Sequence, residues 1–99
     1  MDALKIVWKR RALSHVETIA QWYKENMGLT AERHFLEGIQ SVVNIISKMP
    51  TIGTPYVSHN VKNKNYFSFV AHPKYKIIYY YTSKHLYIVT IYRVLKKNG

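Results

Sequence analysis

Hydrophobic residues change from a helical to a strand period midway along this chain, and that change narrows the folds open to it. Ala12, Leu13, Val16, Ile19, Ala20, Tyr23 and Met27 recur at three- and four-residue steps, as do Ala31, Phe35, Ile39, Val42, Val43, Ile46 and Met49. Each set draws one apolar stripe along a helix. After them come three runs rich in β-branched and aromatic residues, at Tyr66–Ala71, Lys74–Tyr81 and Leu86–Arg93. His72-Pro73 and Thr82-Ser83-Lys84 separate these runs, which predicts an antiparallel meander.

The borders can be read as well. Leu4–Trp8, with Leu4, Ile6 and Trp8 on one face, reads as a short opening strand. Gly28 is a natural stop for the first helix, Thr30 can cap the second, and Glu32 suits the dipole of its first turn. Pro50 closes the second helix, so the two should form an antiparallel hairpin. Gly53, Pro55, Asn60, Lys62, Asn63 and Lys64 mark residues 50–65 as an exposed, basic loop. The order is one strand, a helical hairpin and a three-stranded meander. It predicts an α+β fold with a four-stranded sheet and both helices on one face. Ninety-nine residues make one domain, spanning 1–99.

Charge is distributed as unevenly as hydrophobicity. All five carboxylates (Asp2, Glu17, Glu25, Glu32, Glu37) lie in the first 37 residues, and the rest carries eight Lys and Arg93 with no acid. With His neutral the first stretch is +1 and the second +9, which together give the net +10. Such a field favours polyanionic or acidic partners. It also leaves the C-terminal part without a carboxylate base, a carboxylate-held Mg²⁺ or an acid pair for glycoside chemistry. Cysteine is absent and the five His are scattered, so no metal or other cofactor is expected. Ser68 and Ser83 have no acid nearby to orient a His, which argues against a nucleophilic triad. Without a signal core or a membrane-length apolar run, a cytoplasmic location is the expectation.

Strict alternation sorts the meander into faces: Tyr75, Ile77, Tyr79 and Tyr81 against Lys76, Ile78 and Tyr80. The last strand splits into Leu86, Ile88, Thr90 and Tyr92 against Tyr87, Val89, Ile91 and Arg93. A face carrying Tyr, Lys and Arg suits bases and phosphates, or a partner chain. Met27, Met49, Tyr23 and Phe35 read as core. Trp22, one step off its stripe, reads as packing at the hairpin's edge.

Four pieces of the chain together resemble the RelE/ParE superfamily of toxins from type II toxin–antitoxin pairs, the plasmid stabilisation family. They are Ile6-Val7-Trp8 with Ala12; Pro50-x-x-Gly53 after the second helix; Lys74-Tyr75-Lys76-Ile77-Ile78-Tyr79-Tyr80; and Leu86–Arg93 with its basic tail. The resemblance implies a growth-inhibiting toxin, a cognate acidic antitoxin that wraps it, and DNA gyrase or the ribosome with its messenger RNA as target. No membrane and no small-molecule substrate enter. RelE-like members cut messenger RNA without metal, whereas ParE-like members act on gyrase. Tyr92 and Arg93 fall at the strand end where catalytic residues of the family stand. Tyr66 and Leu95, however, occupy positions where an Arg is usual, so the reading leans to gyrase inhibition. If RNA is cleaved, the base must be His, Tyr or Lys, with His72 and His85 as further candidates. Lys62, Lys64, Lys74, Lys76, Lys96 and Lys97 are the expected phosphate or acidic-partner contacts. The alternatives are a RelE-like endoribonuclease, a non-catalytic nucleic-acid-binding module, and a decayed toxin that still binds its antitoxin.

Overall fold

The structure is a computed structural model and describes residues 3–56, 65–72 and 75–94. Strand β1 (Lys5–Trp8) leads into helix α1 (Arg10–Met27) and helix α2 (Leu29–Lys48). A 3-10 turn at Pro50–Ile52 precedes β2 (Thr54–Tyr56), β3 (Tyr66–His72), β4 (Tyr75–Tyr81) and β5 (His85–Arg93). The sheet order is β1-β5-β4-β3-β2, with β1 parallel to β5 and every other pairing antiparallel. The α+β order, the helical hairpin and the meander stand as the sequence predicts. The sheet differs in having five strands.

The hairpin turns on Gly28. Its φ of 96° belongs to backbone that side chains rarely adopt. Its N–H returns to the Tyr23 carbonyl at 3.0 Å, while its own carbonyl accepts from Glu32 N–H at 3.1 Å. One residue thus ends α1 and starts α2. For that reason α2 begins at Leu29, and Thr30 lies within its first turn instead of capping it.

Both helices cover one face of the sheet. Phe35, Ile39, Val43 and Ile46 of α2 pack with Tyr75, Ile77 and Tyr79 of β4 and with Leu86, Ile88 and Ile91 of β5. From α1 only Ala12 and Ala20 are fully covered, two small side chains that let the helix approach the sheet closely. The stripes are narrower than expected, since Leu13, Met27 and Met49 are exposed rather than core. Met27 and Met49 stand at the C-terminal ends of their helices.

The fifth strand arises where a loop was expected. Tyr79 is fully buried; its hydroxyl donates to the Pro50 carbonyl at 2.7 Å and accepts from Gly53 N–H at 3.0 Å. This pins the turn after α2 against β4, and Thr54–Tyr56 then pairs with Tyr66–Ser68 of β3. A Cβ at Gly53 would overlap the Tyr79 hydroxyl and lie 2.9 Å from the Ser68 carbonyl oxygen. Gly53 is therefore required by close approach, not by an unusual backbone angle. Replacing Tyr79 with Phe strands a buried carbonyl and N–H and should cost about 2 kcal/mol of stability. Gly53→Ala should cost a similar or larger amount through overpacking, about 1–3 kcal/mol. Urea denaturation measures both, and an unchanged midpoint for Tyr79→Phe would show the tie to be idle.

Candidate target-binding face

The side of the sheet away from the helices carries a row of tyrosines. Tyr66 of β3, Tyr80 of β4 and Tyr87 of β5 stack in sequence, with ring centroids 5.3 and 4.7 Å apart and planes tilted by 21° and 17°. His85 extends the row at 5.8 Å from Tyr87, and Lys9 Nζ lies 5.9 Å from the Tyr87 ring centre. Cross-strand neighbours put these rings side by side, and aromatic pairs at such spacing add about 0.5–1.5 kcal/mol each. Tyr92 hydrogen-bonds to Tyr56 on the same side. Ile78, between Ser68 and Thr90 in register, is buried there although it lies outside the main core.

One irregularity decides which residues reach this face. The β4–β5 register shifts between Ile78 and Tyr79, so that Ile78 faces Thr90 but Tyr79 faces Ile88. The extra residue, Val89, is a β-bulge, and it inverts the alternation beyond it. Ile91 therefore joins the core, which corrects the strict alternation expected for this strand. Beyond it, Arg93 stands opposite Tyr75 on the helix side and Tyr92 stands opposite Lys76 on the open side. The two adjacent candidates for catalysis thus point to opposite faces.

His15 secures the same stretch. Past Trp8, β5 runs on without β1 beside it, and His15 of α1 takes its place. Its Nδ1 donates to the Ile91 carbonyl at 2.8 Å and lies 2.9 Å from Thr90 Oγ1. A carbonyl only accepts, so Nδ1 carries the hydrogen. Nothing in the sequence pattern singled out His15.

Of the expected contact residues, Lys76, Tyr92 and Arg93 are placed, and Lys76 and Tyr92 share the open face. Lys62, Lys64, Lys74, Lys96 and Lys97 lie outside the described residues, as does Leu95. On the helix side, Tyr23 and Tyr75 hydroxyls meet at 2.9 Å, and the Tyr75 ring tilts against Phe35. Among the described residues no group of His, Asp and Glu could hold a metal ion.

The family profile described as "ParE toxin of type II toxin-antitoxin system, parDE" matches residues 6–98. The chain belongs to the ParE toxin family. Solved structures share its fold. The chromosomal ParDE system of P. aeruginosa superposes with a TM-score of 0.70 at 18% identity, covering 94% of this chain and 98% of that one. The RelBE2 toxin–antitoxin complex of Mycobacterium tuberculosis gives 0.65 at 11% identity, with 94% and 100% covered. The YoeB dimer of Staphylococcus aureus gives 0.59 at 14%, with 96% and 100% covered. No curated protein is recognisably similar in sequence. As a ParE-family chain, this protein is the toxin component of a type II toxin–antitoxin system.

Three of the nine tyrosines in this ParE-family chain are held neutral beyond their ordinary range. Burial raises Tyr75 strongly, and its bond to Tyr23 adds to this while Arg93 opposes it. Burial also raises Tyr79, against a lowering by Gly53 N–H, and it raises Tyr92 together with the bond to Tyr56. In each case the native state keeps a proton that the unfolded chain releases near pH 10. This contribution to stability is complete below about pH 10 and is lost as pH climbs above it. Phenolate absorbance should show Tyr75, Tyr79 and Tyr92 ionising above the free value of about 10 while the chain stays folded. The melting temperature should fall over the same interval; nine tyrosines titrating together in folded protein would contradict the assignment.

Proposed function

We propose that this toxin arrests growth by holding its target against the open sheet face, as a ParE-like inhibitor of DNA gyrase, rather than by cutting messenger RNA. The observation that carries this reading is the separation of Tyr92 and Arg93 by the sheet. Metal-free cleavage of RNA needs a base at the 2′-hydroxyl, a stabiliser for the phosphorane and an acid at the leaving oxygen, all within contact of one phosphate. Arg93 beside Tyr75 and Tyr92 beside Lys76 cannot meet on one phosphate. Tyr92, neutral and bonded to Tyr56, is also a poor base. Match to the ParE family over nearly the whole chain supports the same choice. What remains on the open face is a set of hydroxyl donors with Lys9 and Lys76, suited to docking on an acidic protein surface. A cognate acidic antitoxin is the natural partner for a chain with +9 after Glu37, and the cytoplasm is the place of action.

Induced expression should stop growth, raise the DNA damage response and leave messages uncut in primer extension. Purified protein should inhibit supercoiling by gyrase. Lys76→Glu combined with Tyr92→Ala should weaken inhibition roughly tenfold to a hundredfold, the range for removing central contacts. Sharp, codon-positioned cuts that Arg93→Ala reduces by about a hundredfold would instead establish the nuclease. Normal growth with folded protein would mark a decayed toxin.

A further inference from the structure

The β1 edge of the sheet carries a stripe of cations. Leu4, Ile6 and Trp8 pack against the core, so Lys5 and Lys9 turn to the open face with Val7 between them. Lys5 stands beside His85 in the parallel register, and Lys84 precedes His85 in the turn. At the other end Lys9 is followed by Arg10 and Arg11, which open α1. All five cations are exposed. The backbone fixes both ends: Lys5 N–H donates to the Lys84 carbonyl and Lys9 N–H to the Ile88 carbonyl, each at 2.9 Å. Four steps of strand separate Lys5 from Lys9, about 13 Å.

Folding does not account for this placement. The start of a helix is the positive end of its dipole, where acids stabilise and cations are opposed. Here Lys9 stands at the cap position without a side-chain cap, and Arg10 and Arg11 occupy a first turn that holds no acid. The first carboxylate of α1 is Glu17, about two turns past Arg10. Leu13, about one turn past Arg10, exposes apolar surface, too little for the apolar centre around which a protein interface is built. A single nucleic acid strand is held by bases stacked on open rings, and the neighbouring Tyr87 ring is already stacked on Tyr80. A duplex asks only for cations in a line. Over about 13 Å it presents about four phosphates on each strand.

We infer that the β1 edge and the start of α1 grip the phosphate backbone of duplex DNA, with Lys5 and Lys84 at one end of the contact and Lys9, Arg10 and Arg11 at the other. Phosphate contacts fix position and carry no base sequence, so the grip is independent of sequence. The stripe lies two strands from Lys76, and Lys9 is common to it and to the open face. For an inhibitor of gyrase it supplies a hold on the DNA that the enzyme carries. That use rests on the gyrase reading, whereas the DNA contact itself does not.

Fluorescence anisotropy of a short labelled DNA duplex tests the grip, with wild type, Arg10→Gln/Arg11→Gln, Lys5→Gln and Lys24→Gln/Arg33→Gln. The last variant removes as much charge as the first, but from the Gly28 end of the hairpin. Losing Arg10 and Arg11 relieves the α1 dipole, so that variant should melt no lower than wild type. Wild type should bind in the micromolar range, with log Kd rising linearly with log salt. Arg10→Gln/Arg11→Gln should weaken binding roughly tenfold to a hundredfold and lower the salt slope by about two. Lys5→Gln should lower the slope by about one, and Lys24→Gln/Arg33→Gln should leave it near wild type. An Arg10→Gln/Arg11→Gln protein that binds as well as Lys24→Gln/Arg33→Gln would overturn the site, as would equal affinity of wild type for polyglutamate or for the separated strand. Wild type that binds the duplex yet leaves gyrase supercoiling untouched would instead remove the gyrase reading and leave the grip standing.

Discussion

The Tyr79 hydroxyl ties the turn after α2 to the middle of β4. It donates to the Pro50 carbonyl of that turn, accepts from Gly53 N–H, and does both from the centre of β4. A buried hydroxyl without partners would forfeit about 1–3 kcal/mol of what burying its ring gains, and the turn that comes to it removes that loss. Once there, the turn delivers Thr54–Tyr56 to the edge of β3, which brings Tyr56 to Tyr92. The open face thus depends on a bond made from the other side of the sheet. Pro50-x-x-Gly53 is more than a helix stop followed by a bend: it is the socket for a tyrosine 26 residues further on.

A second constraint follows from the bulge at Val89. Continued alternation would have put Ile91 on the open face and left a hole opposite Ile77. Inserting one residue keeps Ile91 in the core, and the hydrophobic gain of burying an isoleucine, about 1.5–3 kcal/mol, supports the disrupted ladder. His15 takes up the Ile91 carbonyl left unpaired at that edge. Packing at Ile91 therefore decides where Arg93 goes.

This also separates what the sequence pattern could reveal from what it could not. The helices were legible because their stripes are long and Gly28 and Pro50 interrupt them unmistakably. The meander was legible because β-branched and aromatic residues crowd three runs between turn formers. The edge strand was not, for Thr54-Pro55-Tyr56 has no alternation and contains a proline, tolerated only where its missing N–H faces away from a neighbour. Leu13, Met27 and Met49 match the helical period but are exposed, and the two methionines stand at helix ends. Tyr92 and Arg93 are candidates by their resemblance to the family's strand end, but period-two counting cannot see a bulge, so it assigns them the reversed faces. His15 carries no signal at all, because its partner is a backbone carbonyl 76 residues away.

The tyrosine row bears on what the open face can hold. A single-strand binding platform offers ring faces to incoming bases, and each stacked base gains about 1–3 kcal/mol. Here the rings of Tyr66, Tyr80 and Tyr87 are nearly parallel and already stacked on one another. Opening a gap for a base would forfeit those contacts and strain three adjacent strands. The row instead presents ring edges and hydroxyls, with Lys9 at its Tyr87 end and Lys76 further along the same face. Edges and hydroxyls pair well with the carboxylates, amides and apolar side chains of a protein surface, where tyrosine is enriched because it brings area with little loss of entropy. For the docking role proposed above, such a row suits a folded protein better than an unpaired nucleic acid strand.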